Sequence, residues 1–183
     1  MKPAMMWLVL LGCISGADEA QQTGVKKRIL VLCTGNSARS QMTEGFLRSF
    51  NPQLEVFSAG TAPAPRVNPY AVKVMKEVGL DISGGTPKNV REFLGQSFDF
   101  VITVCDDADR NCPNFRGKVG KRMHLGFPDP AKATGTDEEK LRVFRRVRDD
   151  IKLRFHAFYE TELRARRVPP RTLGGLADAS PQR

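Results

Sequence analysis

Residues 28–33 read "RILVLC", an unbroken apolar run after a single arginine. A strand with no polar alternation leaves no face for water, so it must be covered on both sides, as a central parallel strand is. "FDFVITVC" (98–105) repeats the pattern, and "LEVFSAG" (54–60) and "KRMHLGF" (121–127) read as two further strands, the last with Met123, Leu125 and Phe127 alternating. Helical patterns lie between and after them. Met42, Phe46, Leu47 and Phe50 share one stripe of residues 40–50. In 68–79, Asn68 is placed as N-cap, Pro69 opens the helix and Gly79 stops it. A final helix starts at a capping box of Thr136 and Glu139 and carries a stripe of Leu141, Phe144, Ile151, Phe155 and Phe158. Strands alternating with helices predict a three-layer α/β sandwich, with a four-stranded parallel sheet and helices on both faces.

A chain of 183 residues holds one such domain with loose ends. Residues 1–24 form a signal-like stretch: Lys2, an apolar segment, then Ser15-Gly16-Ala17 as a cleavage site. "LLGC" resembles a lipobox, with Cys13 as the acylated residue. Equally, "VKKRILVL" reads as the natural start of the domain, which makes 1–24 a mis-assigned upstream extension. The domain then spans 25–163. Residues 164–183, punctuated by Pro169-Pro170 and Gly174-Gly175, read as a disordered basic tail. The formal charge of +9 raises the question of nucleic acid. Its excess, however, sits in the tail and on one helix face (Arg142, Arg145, Arg146, Arg148, Lys152, Arg154), read as a solvated face and not as a nucleic-acid surface. The same charge draws in small oxyanions.

Four cysteines in this length exclude a disulfide scaffold, and no CxxC pair or His cluster suggests a metal site. His124 is placed on the fourth strand and His156 on a helix surface. Cys33 and Cys105 each end a strand, the edge where open α/β sheets bind ligands. If those strands are neighbours, a spacing of roughly 4.8 Å brings the thiols within reach. Cys33 also begins "CTGNSARS", a C-x5-R turn between strand and helix. Gly35 and Asn36 tolerate its unusual dihedrals. Successive backbone N–H groups from Thr34 through Gly35, Asn36, Ser37, Ala38 and Arg39 form an anion cradle at a helix start. Arg39 offers a fork for two oxygens, and Ser40 a hydrogen bond to sulfur. That field is expected to lower the Cys33 pKa and make the sulfur nucleophilic. The Gly-Lys-Ser/Thr ending of a nucleotide P-loop is absent.

"CTGNSARSQMTEGFLR", "SAGT" (58–61), "VNPYAVKVMKEVGLDIS" (67–83), "VITVCDDADRNCP" (101–113) and "GFPDPA" (126–131) together resemble the low-molecular-weight tyrosine phosphatase fold. The resemblance is nearer to its thioredoxin-coupled arsenate reductase branch, and runs from about Lys26 to about Leu163. It implies a thiol cascade: Cys33 attacks arsenate, Cys105 attacks the Cys33 sulfur and releases arsenite, and Cys112 takes over the disulfide for thioredoxin to reduce. Cys105 and Cys112 lie seven residues apart, about 10.5 Å on a regular helix, so their pairing requires unwinding. The resemblance makes Asp129 the proton donor of a "DP" loop.

Where phosphatases carry tyrosines after that motif, Ala131 and Lys132 follow here. Gln41 replaces the proline usual in phosphatases, and Ala38 stands where some reductases have another cysteine. Asn36 and Glu44 resemble residues that hold a monovalent cation in some reductases. No tightly bound cofactor is implied. Thioredoxin coupling implies a cytoplasmic location, with export or lipid anchoring through the N-terminal segment as the alternative. Two other functions share the cradle: a phosphatase of phosphotyrosine or small phosphate esters, and a non-catalytic oxyanion-binding or exported redox-sensing domain.

Overall fold

In the computed structural model, residues 26–164 are described. The expectations for 1–24, for Cys13 and for the tail beyond Arg164 lie outside that range. Four strands, β1 (Arg28–Cys33), β2 (Glu55–Gly60), β3 (Phe98–Thr103) and β4 (Val119–His124), form one parallel sheet in the order β2-β1-β3-β4. β1 is central and buried from Ile29 onward, as its unbroken apolar run requires. The chain runs outward from β1 to β2, then crosses to β3 on the other side. The β1–β3 boundary is therefore the switch point, and Leu32 pairs there with Thr103.

Alternation along β1 divides the core. Ile29, Val31 and Cys33 face α1 (Arg39–Phe50), α2 (Pro69–Lys76) and α4 (Asp137–Phe158). Leu30 and Leu32 face a thinner layer built on the 3-10 turn Val90–Phe93 and the ring of Phe98. The α4 stripe is buried as expected, and Thr136 and Glu139 make the reciprocal capping box. Burial of Phe144 and Phe155 in that stripe contributes about 2 kcal/mol each. Asn68 caps α2 through the Tyr70 N–H, with Pro69 in the first turn.

Two expectations change. The fourth strand starts at Val119 and ends at His124; it is the sheet edge, and most of its side chains are exposed. It enters beside β3 through Gly120, where any side chain would press on the Asp99 carbonyl. The α4 arginines are also more than a solvated face. Arg148 is buried and donates to the Val74 carbonyl at 2.9 Å and to Glu77 at 3.0 Å. Arg145 pairs with Glu77 as well, which holds the Glu77 carboxyl below its usual range. Arg154 donates to the Gly126 carbonyl at 2.8 Å and lies over the Phe127 ring. Part of the positive charge is thus spent on tying α4 to α2 and to the loop that carries Asp129. No helix among the described residues is long and apolar enough to cross a membrane.

Candidate active site

At the carboxyl edge of β1 and β3 lies a cavity of about 680 Å³, lined by Cys33, Thr34, Gly35, Ser37, Ala38, Arg39, Cys105 and Asp129, among others. The turn from Cys33 to Arg39 forms its floor. Asn36 adopts φ +45°, the left-handed conformation that asparagine accepts more readily than most residues. The carbonyls of this turn are taken from outside. Thr61 N–H bonds Cys33 O at 3.2 Å, Ala62 N–H bonds Thr34 O at 2.9 Å, Ala64 N–H bonds Gly35 O at 2.8 Å, and Asn68 N–H bonds Ser37 O at 2.8 Å. The Asn36 N–H points to the Cys33 sulfur, and carbonyls anchored outward are the arrangement an anion cradle requires. Ala38, the N-cap of α1, makes no side-chain cap bond, so the helix start is not closed off by its own residue.

Cys33 is buried. Its Sγ accepts the Asn36 N–H at 3.1 Å and lies 3.0 Å from Ser40 Oγ. Asn36 Nδ2 donates to Ser40 Oγ at 2.9 Å, which leaves the Ser40 proton free to point at the sulfur. The same amide donates to Ser58 Oγ at 2.8 Å; Ser58 donates to Glu44, and Glu44 pairs with Arg48 at 2.6 Å. The expected lowering of the Cys33 pKa is not what results. Burial pushes the thiol up, the neighbouring Cys105 adds to this, and the Ser40 and Asn36 donors only partly oppose it. Arg39 does not offset it, because its guanidinium is turned to Asp129 Oδ2 at 3.1 Å and the Phe127 carbonyl at 3.0 Å. In reduced protein without added oxyanion, alkylation of Cys33 by iodoacetamide, followed peptide by peptide against pH, has its midpoint above that of an unperturbed thiol. Ser40→Ala moves it higher still. A midpoint at or below the ordinary value contradicts this balance.

Cys105 is buried at the N-cap of the short helix α3 (Asp106–Arg110), on the same cavity. Its sulfur lies 3.5 Å from Thr34 Oγ1, and that hydroxyl donates to Asp107 at 2.9 Å. One hydroxyl has one proton, so Thr34 can serve Asp107 or a Cys105 thiolate, not both at once. Cys112, half-buried just past α3, is outside the lining of this cavity, and the three cysteines among the described residues are free thiols. Asp129 caps the 3-10 turn Pro130–Lys132 through the Ala131 N–H at 3.1 Å and lines the same cavity as Cys33. Gln41 lies behind the cradle, donating to the Asn36 carbonyl at 3.2 Å.

The cation suggested for Asn36 and Glu44 does not suit these side chains. The Glu44 oxygens take the Ser58 hydroxyl and the Arg48 guanidinium, and Asn36 Oδ1 takes the Lys88 N–H at 2.8 Å. A cation there would compete with bound donors on both residues, so no step passes through one.

Sequence reasoning missed Ser58 and Gly60. Ser58 joins Asn36 to Glu44, and Gly60 lies against the Thr34 carbonyl so closely that no side chain fits. The small residues of "SAGT" were the available signal; their contact with the cradle needed the β1–β2 register, which sets Cys33 beside Gly60.

The profile of the low molecular weight phosphotyrosine protein phosphatase family matches residues 28–168. An arsenate reductase of Shouchella clausii is 52% identical over 137 residues, 74% of this chain and 97% of the relative. An arsenate reductase of Halalkalibacterium halodurans is 51% identical over 137 residues, with the same coverage. The solved structure of an arsenate reductase in the phosphate binding state superposes with a TM-score of 0.60 at 32% identity, covering 73% of this chain and 97% of that one.

Proposed function

Since this chain belongs to the low-molecular-weight phosphotyrosine protein phosphatase family, with arsenate reductases as half-identical relatives, we propose that it reduces arsenate to arsenite. The observation that carries the reading is the placement of two thiols, Cys33 and Cys105, at the ends of paired strands on one cavity. A phosphatase needs only the first of them.

Arsenate enters with its oxygens on the N–H groups of residues 34–39 and the Arg39 fork. A dianionic oxyanion is base enough to take the Cys33 proton, which relieves the cost of a buried thiolate. The sulfur attacks arsenic, and one oxygen departs as water with its proton delivered through Asp129. Cys105 then attacks the Cys33 sulfur. The S–S bond forms as the S–As bond breaks, and its electron pair stays on arsenic, so As(V) becomes As(III) while the two thiols are oxidised. The released arsenite takes the Cys105 proton. Cys112 next displaces Cys33 from Cys105, and a dithiol reductant, thioredoxin, reopens the Cys105–Cys112 pair. α3 has five residues, so little helix must unwind for that pairing. We assign the catalytic domain to 25–163, and the need for reducing thiols favours a cytoplasmic location.

The test supplies arsenate, thioredoxin, thioredoxin reductase and NADPH. Wild-type protein turns over, and Cys33→Ser, Cys105→Ser and Cys112→Ser each lose NADPH consumption. Full turnover by Cys105→Ser and Cys112→Ser, or hydrolysis of an aryl phosphate without arsenate reduction, overturns the reading in favour of a phosphatase. Oxyanion binding without any turnover leaves only a binding domain.

A further inference from the structure

Cys112 has a setting of its own. It lines a second cavity of about 300 Å³ beside β3 and β4, with Thr103, Asp109, Arg122 and His124. Arg122, on the exposed edge strand β4, donates through Nη1 to Cys112 Sγ at 3.5 Å. Its guanidinium is 5.4 Å from the centre of the Phe115 ring, and Phe115 in turn packs edge-on against Phe98 in the core. An edge-strand arginine would ordinarily extend into water. Here an aromatic face anchored in the core holds it over a sulfur.

We propose that Arg122 is a positioning residue that fixes Cys112 and favours its thiolate for attack on Cys105. This rests on the reading of Cys112 as the thiol that resolves the Cys33–Cys105 disulfide. In that step the Cys105–Cys112 bond forms, the Cys33–Cys105 bond breaks, and Cys33 departs as a thiolate; no outside oxidant or reductant enters. The charged neighbours divide clearly. Burial pushes the Cys112 thiol up and Asp109 of α3 pushes the same way, while Arg122 of β4 opposes both. His124 of β4 lines the cavity too, but its ring is engaged by Thr103 at 2.8 Å and Asp106 at 3.2 Å. Arg122 is thus the group that recovers nucleophilicity for a partly desolvated sulfur.

The decisive measurement needs no arsenate. In the reduced full-length protein, iodoacetamide alkylation of the Cys112 peptide is followed by mass spectrometry from pH 6 to 11. Arg122→Leu is expected to raise the midpoint by about one pH unit and the high-pH plateau rate about threefold. Arg122→Lys restores most of the shift. At neutral pH the rate falls only about threefold, because a more basic thiolate is a better nucleophile and offsets part of its lower population. In arsenate single turnover, the Cys105–Cys112 disulfide should appear about threefold more slowly in Arg122→Leu. A midpoint that stays in place overturns the proposal, whether the plateau is unchanged or moves. In the second case Arg122 only packs against Cys112. If wild-type protein reduces no arsenate, the functional reading fails while the alkylation midpoint still decides the role of Arg122.

Discussion

Arg39→Ala is expected to lower kcat/KM for arsenate by about 10³-fold, and Arg39→Lys to recover only a small part of it. The guanidinium stands between two tasks. In the structure its fork spans Asp129 Oδ2 and the Phe127 carbonyl, both on the loop that closes the cavity. In the reaction we propose, the same fork meets the oxyanion. Lysine carries the charge but cannot hold two acceptors in one plane. Because Arg39 and Asp129 form one ion pair, Asp129→Asn in the Arg39→Ala background should add much less than it does alone. Steady-state kinetics of the two single variants and the double variant measure that coupling. Near-wild-type turnover by Arg39→Lys would show that a point charge suffices and that the planar fork has no part in catalysis.

The second large effect comes from a residue that touches no substrate. Gly60→Ala places a methyl group against the Thr34 carbonyl and the Asn36 backbone nitrogen. Neither can yield without moving the turn, since Asn36 N–H is bonded to Cys33 Sγ and the Thr34 carbonyl to Ala62 N–H. The expected cost is about 3 kcal/mol of stability from overpacking, read from denaturant unfolding. The loss of arsenate turnover at a temperature where the variant is still folded should exceed about 10²-fold, because a cradle displaced by an ångström no longer fits its anion. Gly35→Ala is the contrast for stability. Its methyl would meet only the Ser37 hydroxyl at 3.4 Å and Ala64 at 3.9 Å, both ordinary contacts, and unfolding should change little. Equal destabilisation by the two substitutions would show that close approach at Gly60 is not what restricts the position.

The polar network behind the cradle shows where reading residues in order stops. Asn36, Ser40 and Gln41 were visible as part of one motif, and their bonds to Cys33 and to one another are local. Ser58 belongs to another strand, and nothing in "EVFSAG" distinguishes a serine that carries a hydrogen-bond chain from one that merely faces out. Arg148 is a parallel case. It sits among other arginines on α4, and only the packing of α2 against α4 makes it a buried tie to the Val74 carbonyl. The Cys33 pKa was misjudged for a related reason. The motif counts the donors around the sulfur, whereas the direction of the shift depends on how much water is removed and on where Arg39 points.

Periodicity and end signals determined the elements, because burial on one face or on two leaves its mark on neighbouring residues of the same segment: the unbroken run of β1, the capping box of α4 and the C-x5-R turn are all local. The tertiary structure alone decided which ends meet. The order β2-β1-β3-β4 places Cys105 beside Cys33, Gly60 beneath Thr34 and Arg122 beside Cys112. Those pairings join residues on different elements, and their energies depend on distances that no local pattern encodes. The three thiols could therefore be found in the sequence, but their division between one shared cavity and one separate cavity is a property of the folded sheet.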